Sequence, residues 1–171
     1  MSMTVIGLAG WSDSGKTTLL VKLAGVLEEQ GVRVAVIKHD AHGHYKEADG
    51  ADSTRFAAAG ASAVVVVSPE AVRTYERRWS GLGETLEALR AGGRYSLVLV
   101  EGFKKENHDK IAVFRTAEQA GILSVLPRAP IAWVTPDEGA AGNRPEGLPV
   151  FHPDDVPGIA EWIRQRMDKQ E

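Results

Sequence analysis

Gly10-Trp11-Ser12-Asp13-Ser14-Gly15-Lys16-Thr17-Thr18 is the stretch on which the reading of this chain turns. It satisfies Gly-x-x-x-x-Gly-Lys-Ser/Thr, a pattern that cradles phosphate when it joins a strand to a helix. Both flanks fit. Thr4–Ala9 is a short apolar run that reads as a buried strand. Thr17–Gln30 carries Leu19, Leu20, Leu23 and Leu27 at helical spacing, with Gly31 at the stop. Gly10 and Gly15 allow backbone geometries that turn successive N–H groups toward phosphate oxygens, and the helix N-terminus adds partial positive charge. Lys16 is placed to reach β- and γ-phosphates, and the Thr17 hydroxyl to ligate Mg²⁺. The bare pattern arises by chance in on the order of one in a hundred chains this long, and the strand–loop–helix context lowers that further. All nine residues, Gly10 to Thr18, are therefore candidate nucleotide contacts.

Working outward, apolar runs continue to alternate with helical patterns. Val32–Ile37, Ala61–Val67, Tyr95–Val100, Lys110–Arg115, Pro130–Thr135 and Leu148–Phe151 read as strands, and Ala71–Trp79 as an edge strand. Asp52-Ser53 is positioned to cap an Ala-rich helix ending at Gly60. Gly83–Gly92 reads as a helix with Leu86 and Leu89 inward, and Asp154 or Asp155 caps a last helix bearing Ile159, Trp162, Ile163 and Met167. Gly139–Gly147 reads as a surface loop. Strands apolar throughout, alternating with helices, predict an α/β fold: a mostly parallel sheet flanked by helices in three layers, one nucleotide-binding domain over residues 1–171.

Composition narrows the function. The 171 residues hold 20 Lys+Arg and 23 Asp+Glu, a formal charge of −3, which argues against a nucleic-acid-coating protein. No run nears the roughly 18 apolar residues of a membrane span and no signal peptide opens the chain, so a cytoplasmic protein is expected. The absence of cysteine excludes disulfides, thiolate metal sites and cysteine nucleophiles.

Two further regions carry candidate chemistry. Leu97-Val98-Leu99-Val100-Glu101 is an apolar strand ending in a carboxylate, where such a fold places the acid that holds Mg²⁺ directly or through water. Lys38-His39-Asp40-Ala41-His42-Gly43-His44, followed by Asp49 and Asp52, leaves the carboxyl end of a strand, where ligands gather in open α/β sheets. That segment has three readings: a Mg²⁺-linked switch using Asp40, Asp49 or Asp52, a transition-metal site using His39, His42 and His44, or a solvated loop in which Asp52 only caps a helix. Thr17, Asp52 and Glu101 form the expected metal-side set, and Lys16, Asp52 and Glu101 the groups expected to act on the phosphates. Trp11 either covers the nucleotide or packs. Lys104, Lys105, Lys110 and Arg115 form a basic stretch that either receives an anion or a partner or is a solvated face.

Several of these motifs occur together in one family. Gly10-Trp11-Ser12 with Ser14-Gly15-Lys16-Thr17-Thr18-Leu19-Leu20, Ile37-Lys38-His39, Asp49-Gly50-Ala51-Asp52-Ser53, Ala59-Gly60-Ala61, Val100-Glu101-Gly102-Phe103-Lys104 and Lys110-Ile111-Ala112-Val113-Phe114-Arg115 stand in order. With them nearly the whole chain resembles the MobB family of molybdopterin-guanine dinucleotide biosynthesis proteins. The resemblance implies a GTP-binding, Mg²⁺-dependent accessory protein of molybdenum-cofactor maturation, dimeric, slow in GTP hydrolysis, and working beside the guanylyltransferase MobA. Molybdopterin and apo-molybdoenzymes are further partners it suggests. By matching position, Lys16, Thr17 and Glu101 hold Mg·GTP, and the Lys38-His39 and Asp49–Asp52 segment faces the same site.

The chain departs from that family twice. Members often carry glycine where this chain has Asp13, a residue that tolerates left-handed backbone angles. No Asn-Lys-x-Asp guanine motif is present. Asp137, just past the strand at Val134-Thr135-Pro136, is either the acceptor for guanine N1 and N2 or a plain loop acid. The competing function is a P-loop small-molecule kinase using ATP or GTP, although no compact Arg-rich lid stands out. A nucleotide-gated scaffold without useful turnover is a third.

Overall fold

The structure is a computed structural model that describes residues 3–40, 52–78 and 80–169. It divides into two compact units, Met1–His39 with Leu86–Glu171, and Asp40–Thr85. The larger is built on six strands: β1 (Thr4–Ala9), β2 (Val34–Lys38), β5 (Leu97–Glu101), β6 (Asp109–Val113), β7 (Ala132–Val134) and β8 (Val150–Phe151). Their order is β2-β5-β1-β6-β7-β8, and every pairing is parallel. The mostly parallel α/β sheet expected from the apolar strands is present.

Burial on both faces explains why these strands read as continuous apolar runs. On one face Ile6, Leu8, Leu97, Leu99, Ile111 and Val113 pack against α1 (Lys16–Glu29), through Leu19, Leu20, Leu23 and Leu27, and against α5 (Val156–Asp168), through Ile159 and Ile163. On the other, Ala9, Ala112, Phe114 and Trp133 pack on Ile122 in a 3₁₀ turn, Gln119–Ser124. Asp155 caps α5 by accepting from the Gly158 amide at 3.0 Å. Gly139–Gly147, expected to be loop, opens inside a short helix, α4 (Glu138–Gly142). Asp137 makes that possible, since its Oδ1 accepts from Ala140 N at 3.0 Å and satisfies a first-turn amide.

The smaller unit contains α2 (Asp52–Ala58), β3 (Ala63–Val67) and β4 (Val72–Glu76), and the division falls inside α3 (Leu82–Gly92). Here one expectation fails. Ala61–Val67 reads as a buried strand of the main sheet, but among the described residues β3 pairs only with β4, antiparallel, and Val65 and Val67 are 57% and 74% exposed. Local turn chemistry accounts for the pairing: Ser68 N donates to Ala71 O at 2.8 Å and Ala71 N to the Ser68 hydroxyl at 3.1 Å, closing a hairpin around Pro69. No helix among the described residues is long and apolar enough to cross a membrane.

Candidate functional site

The loop Gly10–Gly15 leaves the carboxyl end of β1 and opens α1, as its pattern requires. A Cβ on Gly10 would collide with the Ser14 hydroxyl and the Val113 carbonyl, so only glycine lets the loop fold back on itself. Asp13 and Gly15 both have left-handed backbones, φ 59° and 90°. Asp13 thus adopts a conformation more usual for glycine, which its short polar side chain tolerates. Gly15 is the N-cap of α1 and provides no side-chain cap, and the first turn holds no acid. The first-turn amides therefore have no side-chain acceptor that would compete with an anion.

Lys16 and Thr17 divide the chemistry between them. Lys16 curls back and donates to the Trp11 carbonyl at 2.7 Å. Burial lowers the pKa of its ammonium, and Lys104 and Lys38 push it the same way against Glu101 and Asp13. A polyphosphate would relieve that unfavourable charge. The Thr17 hydroxyl donates to Glu101 Oε1 at 2.8 Å. Glu101 closes β5, the immediate neighbour of β1, and its side chain is 14% exposed with Lys38 Nζ 4.0 Å away. A hydroxyl and a carboxylate in contact beside a phosphate loop are hard oxygen donors of the kind Mg²⁺ takes, so the residues fit the ion.

The surrounding residues are arranged as follows. Trp11 is 36% exposed, and Lys104 Nζ lies 4.4 Å from its ring centroid, a cation–π contact. The His39 ring stacks on Phe103 with centroids 4.3 Å apart. His42, His44 and Asp49 lie outside the described residues, and among those described no cluster of His, Asp and Glu could hold a metal ion. Asp52 belongs to the smaller unit, where it opens α2 with Oδ1 3.5 Å from Arg55 Nη1. Asp137, besides capping α4, lines a 420 Å³ cavity with Phe114, Trp133 and Asn143.

The basic stretch does not act as one surface. Lys110 is 3% exposed and donates to the Glu106 and His108 carbonyls, so it is neither a solvated charge nor an anion receptor. Arg115, by contrast, lines a 260 Å³ depression with Asp13, Gly15, Lys16, Thr17 and Thr18. Gln119, which carries no motif, links the two sides: its Oε1 accepts from Arg115 N at 2.9 Å and its Nε2 donates to the Ser12 carbonyl at 3.4 Å. Spacing in the sequence gives no hint of that contact.

Comparison with known proteins places this arrangement in a family. Residues 5–135 match the model for MobB, molybdopterin guanine dinucleotide synthesis protein B. The molybdopterin-guanine dinucleotide biosynthesis adapter protein of Escherichia coli K12 is 34% identical over 97% of this chain and 94% of its own length. A probable adapter protein of the same name from Bacillus subtilis 168 is 30% identical over 88% of this chain and 86% of its own. The crystal structure of Bacillus subtilis MobB superposes with a TM-score of 0.79 at 26% identity, covering 95% of this chain and 97% of that one. Matched in this way over most of its length, the chain belongs to the MobB family of molybdopterin guanine dinucleotide synthesis proteins.

Proposed function

We propose that this chain binds GTP with Mg²⁺ at Gly10–Thr18 and serves as a nucleotide-dependent adapter in the synthesis of molybdopterin guanine dinucleotide, beside the guanylyltransferase MobA. The observation that carries the proposal is the 2.8 Å contact of Thr17 with Glu101 next to an uncapped, glycine-shaped loop. In this reading the loop amides and Lys16 hold the β- and γ-phosphates, while Thr17 and Glu101 hold the cation. Mg²⁺ would neutralise phosphate charge there. Turnover is slow, in keeping with an adapter whose bound state matters more than its product. Asp137 is the proposed acceptor for the guanine base, at the end of β7.

The chain is further proposed to act as a homodimer. The surface that favours this is the β3–β4 ribbon, whose Val65, Val67 and Val72 are all more than half exposed.

Calorimetric titration of GTP against ATP in Mg²⁺ tests the reading. GTP should bind at least about tenfold tighter, a gap of roughly 1.4 kcal/mol. Lys16→Ala should abolish binding of both, and Glu101→Gln should weaken the Mg²⁺ dependence more than metal-free binding. A tie between the nucleotides, or ATP ahead, removes guanine specificity and favours a small-molecule kinase instead. Retained micromolar affinity in Lys16→Ala would overturn the phosphate assignment.

A further inference from the structure

We infer that Arg115 grips the α- and β-phosphates of the nucleotide from the flank of the loop opposite the cation position, and does not act on the γ-phosphate. The inference rests on the nucleotide reading above and adds a contact that the motif does not contain.

The strand order supplies the geometry. β1, which carries the loop, lies between β5 and β6. Glu101 ends β5 and meets Thr17 on that side. Arg115 follows the end of β6, on the other side, so the acid and the guanidinium flank the loop from neighbouring strands on opposite edges.

On its own side Arg115 lies directly over the loop backbone. A Cβ built on Gly15 would stand 2.9 Å from Arg115 Nη2 and 3.3 Å from Nε. Glycine at 15 thus lets the guanidinium sit this close to the loop backbone. The depression that Arg115 lines runs from Asp13, Gly15, Lys16 and Thr17 on to Thr18, one residue beyond the metal-side Thr17. This is the start of α1, where loop and helix amides cradle α- and β-phosphates, whereas the lysine and first threonine work toward the γ-phosphate and the ion.

Two observations indicate that the side chain is held ready for a ligand. Its backbone is fixed, because Gln119 ties Arg115 N to the Ser12 carbonyl and so locks the end of β6 to the loop. Its guanidinium, meanwhile, forms no hydrogen bond or ion pair among the described residues. Five donors in a planar fork, lining one depression with the loop and the start of α1, suit bidentate contact with phosphate oxygens better than an ammonium would.

The test is calorimetric titration with GTP and with GDP, in Mg²⁺, of the wild-type chain, Arg115→Gln and Arg115→Lys, joined to single-turnover hydrolysis of bound GTP. Arg115→Gln should weaken GTP and GDP by the same factor, about tenfold each, as expected for loss of a charge-assisted contact. Arg115→Lys should recover part of that loss. Unchanged affinities in Arg115→Gln overturn the inference alone, as does a loss confined to GTP with slowed hydrolysis, which would assign Arg115 to the γ-phosphate. A wild-type chain that binds neither nucleotide overturns the inference together with the proposed function.

Discussion

Leu97-Val98-Leu99-Val100 and Val64-Val65-Val66-Val67 are nearly interchangeable as sequence, yet they end in opposite surroundings. The first forms most of β5, paired on both edges with β2 and β1, and each of its four residues is 0% exposed. The second forms most of β3, paired among the described residues on one edge only, with just Val64 buried. A run of branched apolar residues thus reports that a strand will form, through χ1 stiffness and pleat packing, but not how many neighbours it will find. Partner number is set by what else the chain brings alongside. For β5 that is two distant strands. For β3 it is a hairpin turn four residues long.

The difference can be broken most directly at Leu99, which packs in the core against α1 and α5. Leu99→Ala should cost about 3 kcal/mol in urea unfolding, because the lost transfer free energy is joined by a cavity the sheet cannot close. A loss under about 1 kcal/mol would mean that β5 is not packed as described.

The same contrast shows how much of the molecule was legible in advance. The strand–loop–helix from Thr4 to Glu29 and the acid at the end of β5 could be read because local patterns fix them: a glycine pair, helical leucine spacing, a carboxylate closing an apolar run. A cap at Asp154 or Asp155 was legible for the same reason, and the structure selects Asp155. What could not be read depends on contacts distant in sequence. Arg115 reaches the loop only because β6 lies beside β1, and Gln119 ties them only because the 3₁₀ turn passes there. Lys110 looks like another surface charge until pairing with β1 and β7 buries it. The helix α4 inside an apparent loop was missed because five residues are too few for periodicity, although Asp137 three residues before Ala140 is a capping signal.

The interior of the larger unit also holds polar groups, which the ribbon does not, and they respond to pH. His108 is 9% exposed, packed on Gly7, with its Nε2 lacking a hydrogen-bond partner among the described residues. Burial first, then the charges of Lys110 and Arg128, push its pKa down to about 4 from 6.5, with Asp109 opposing. Between these values the unfolded chain binds a proton that the folded chain refuses, so stability falls as pH drops through that window. From pH 7 to pH 5 the loss from this group should be about 2 kcal/mol. Urea midpoints measured across that range in wild type and His108→Gln check it. The variant's pH slope should be shallower, whatever its stability at neutral pH, and parallel slopes would remove His108 as the cause.

The smallest expected change in stability lies in the ribbon, and it is informative because it is small. Val67 is 74% exposed, so Val67→Lys should shift the unfolding midpoint by no more than about 0.5 kcal/mol in a monomer. If the ribbon is instead the surface that joins two copies, the same substitution places charge against charge across a twofold axis, where every change is made twice. The signature is then a change in mass without a change in fold: sedimentation at micromolar concentration should show dimer in the wild type and monomer in Val67→Lys. Thr74→Lys serves as the companion, since Thr74 pairs with Val65 and shares the face that carries Val67 and Val72. Disruption by both assigns that face to the dimer. A dimer untouched by either would place the interface elsewhere and leave β3 as an apolar strand whose exposure has no such use.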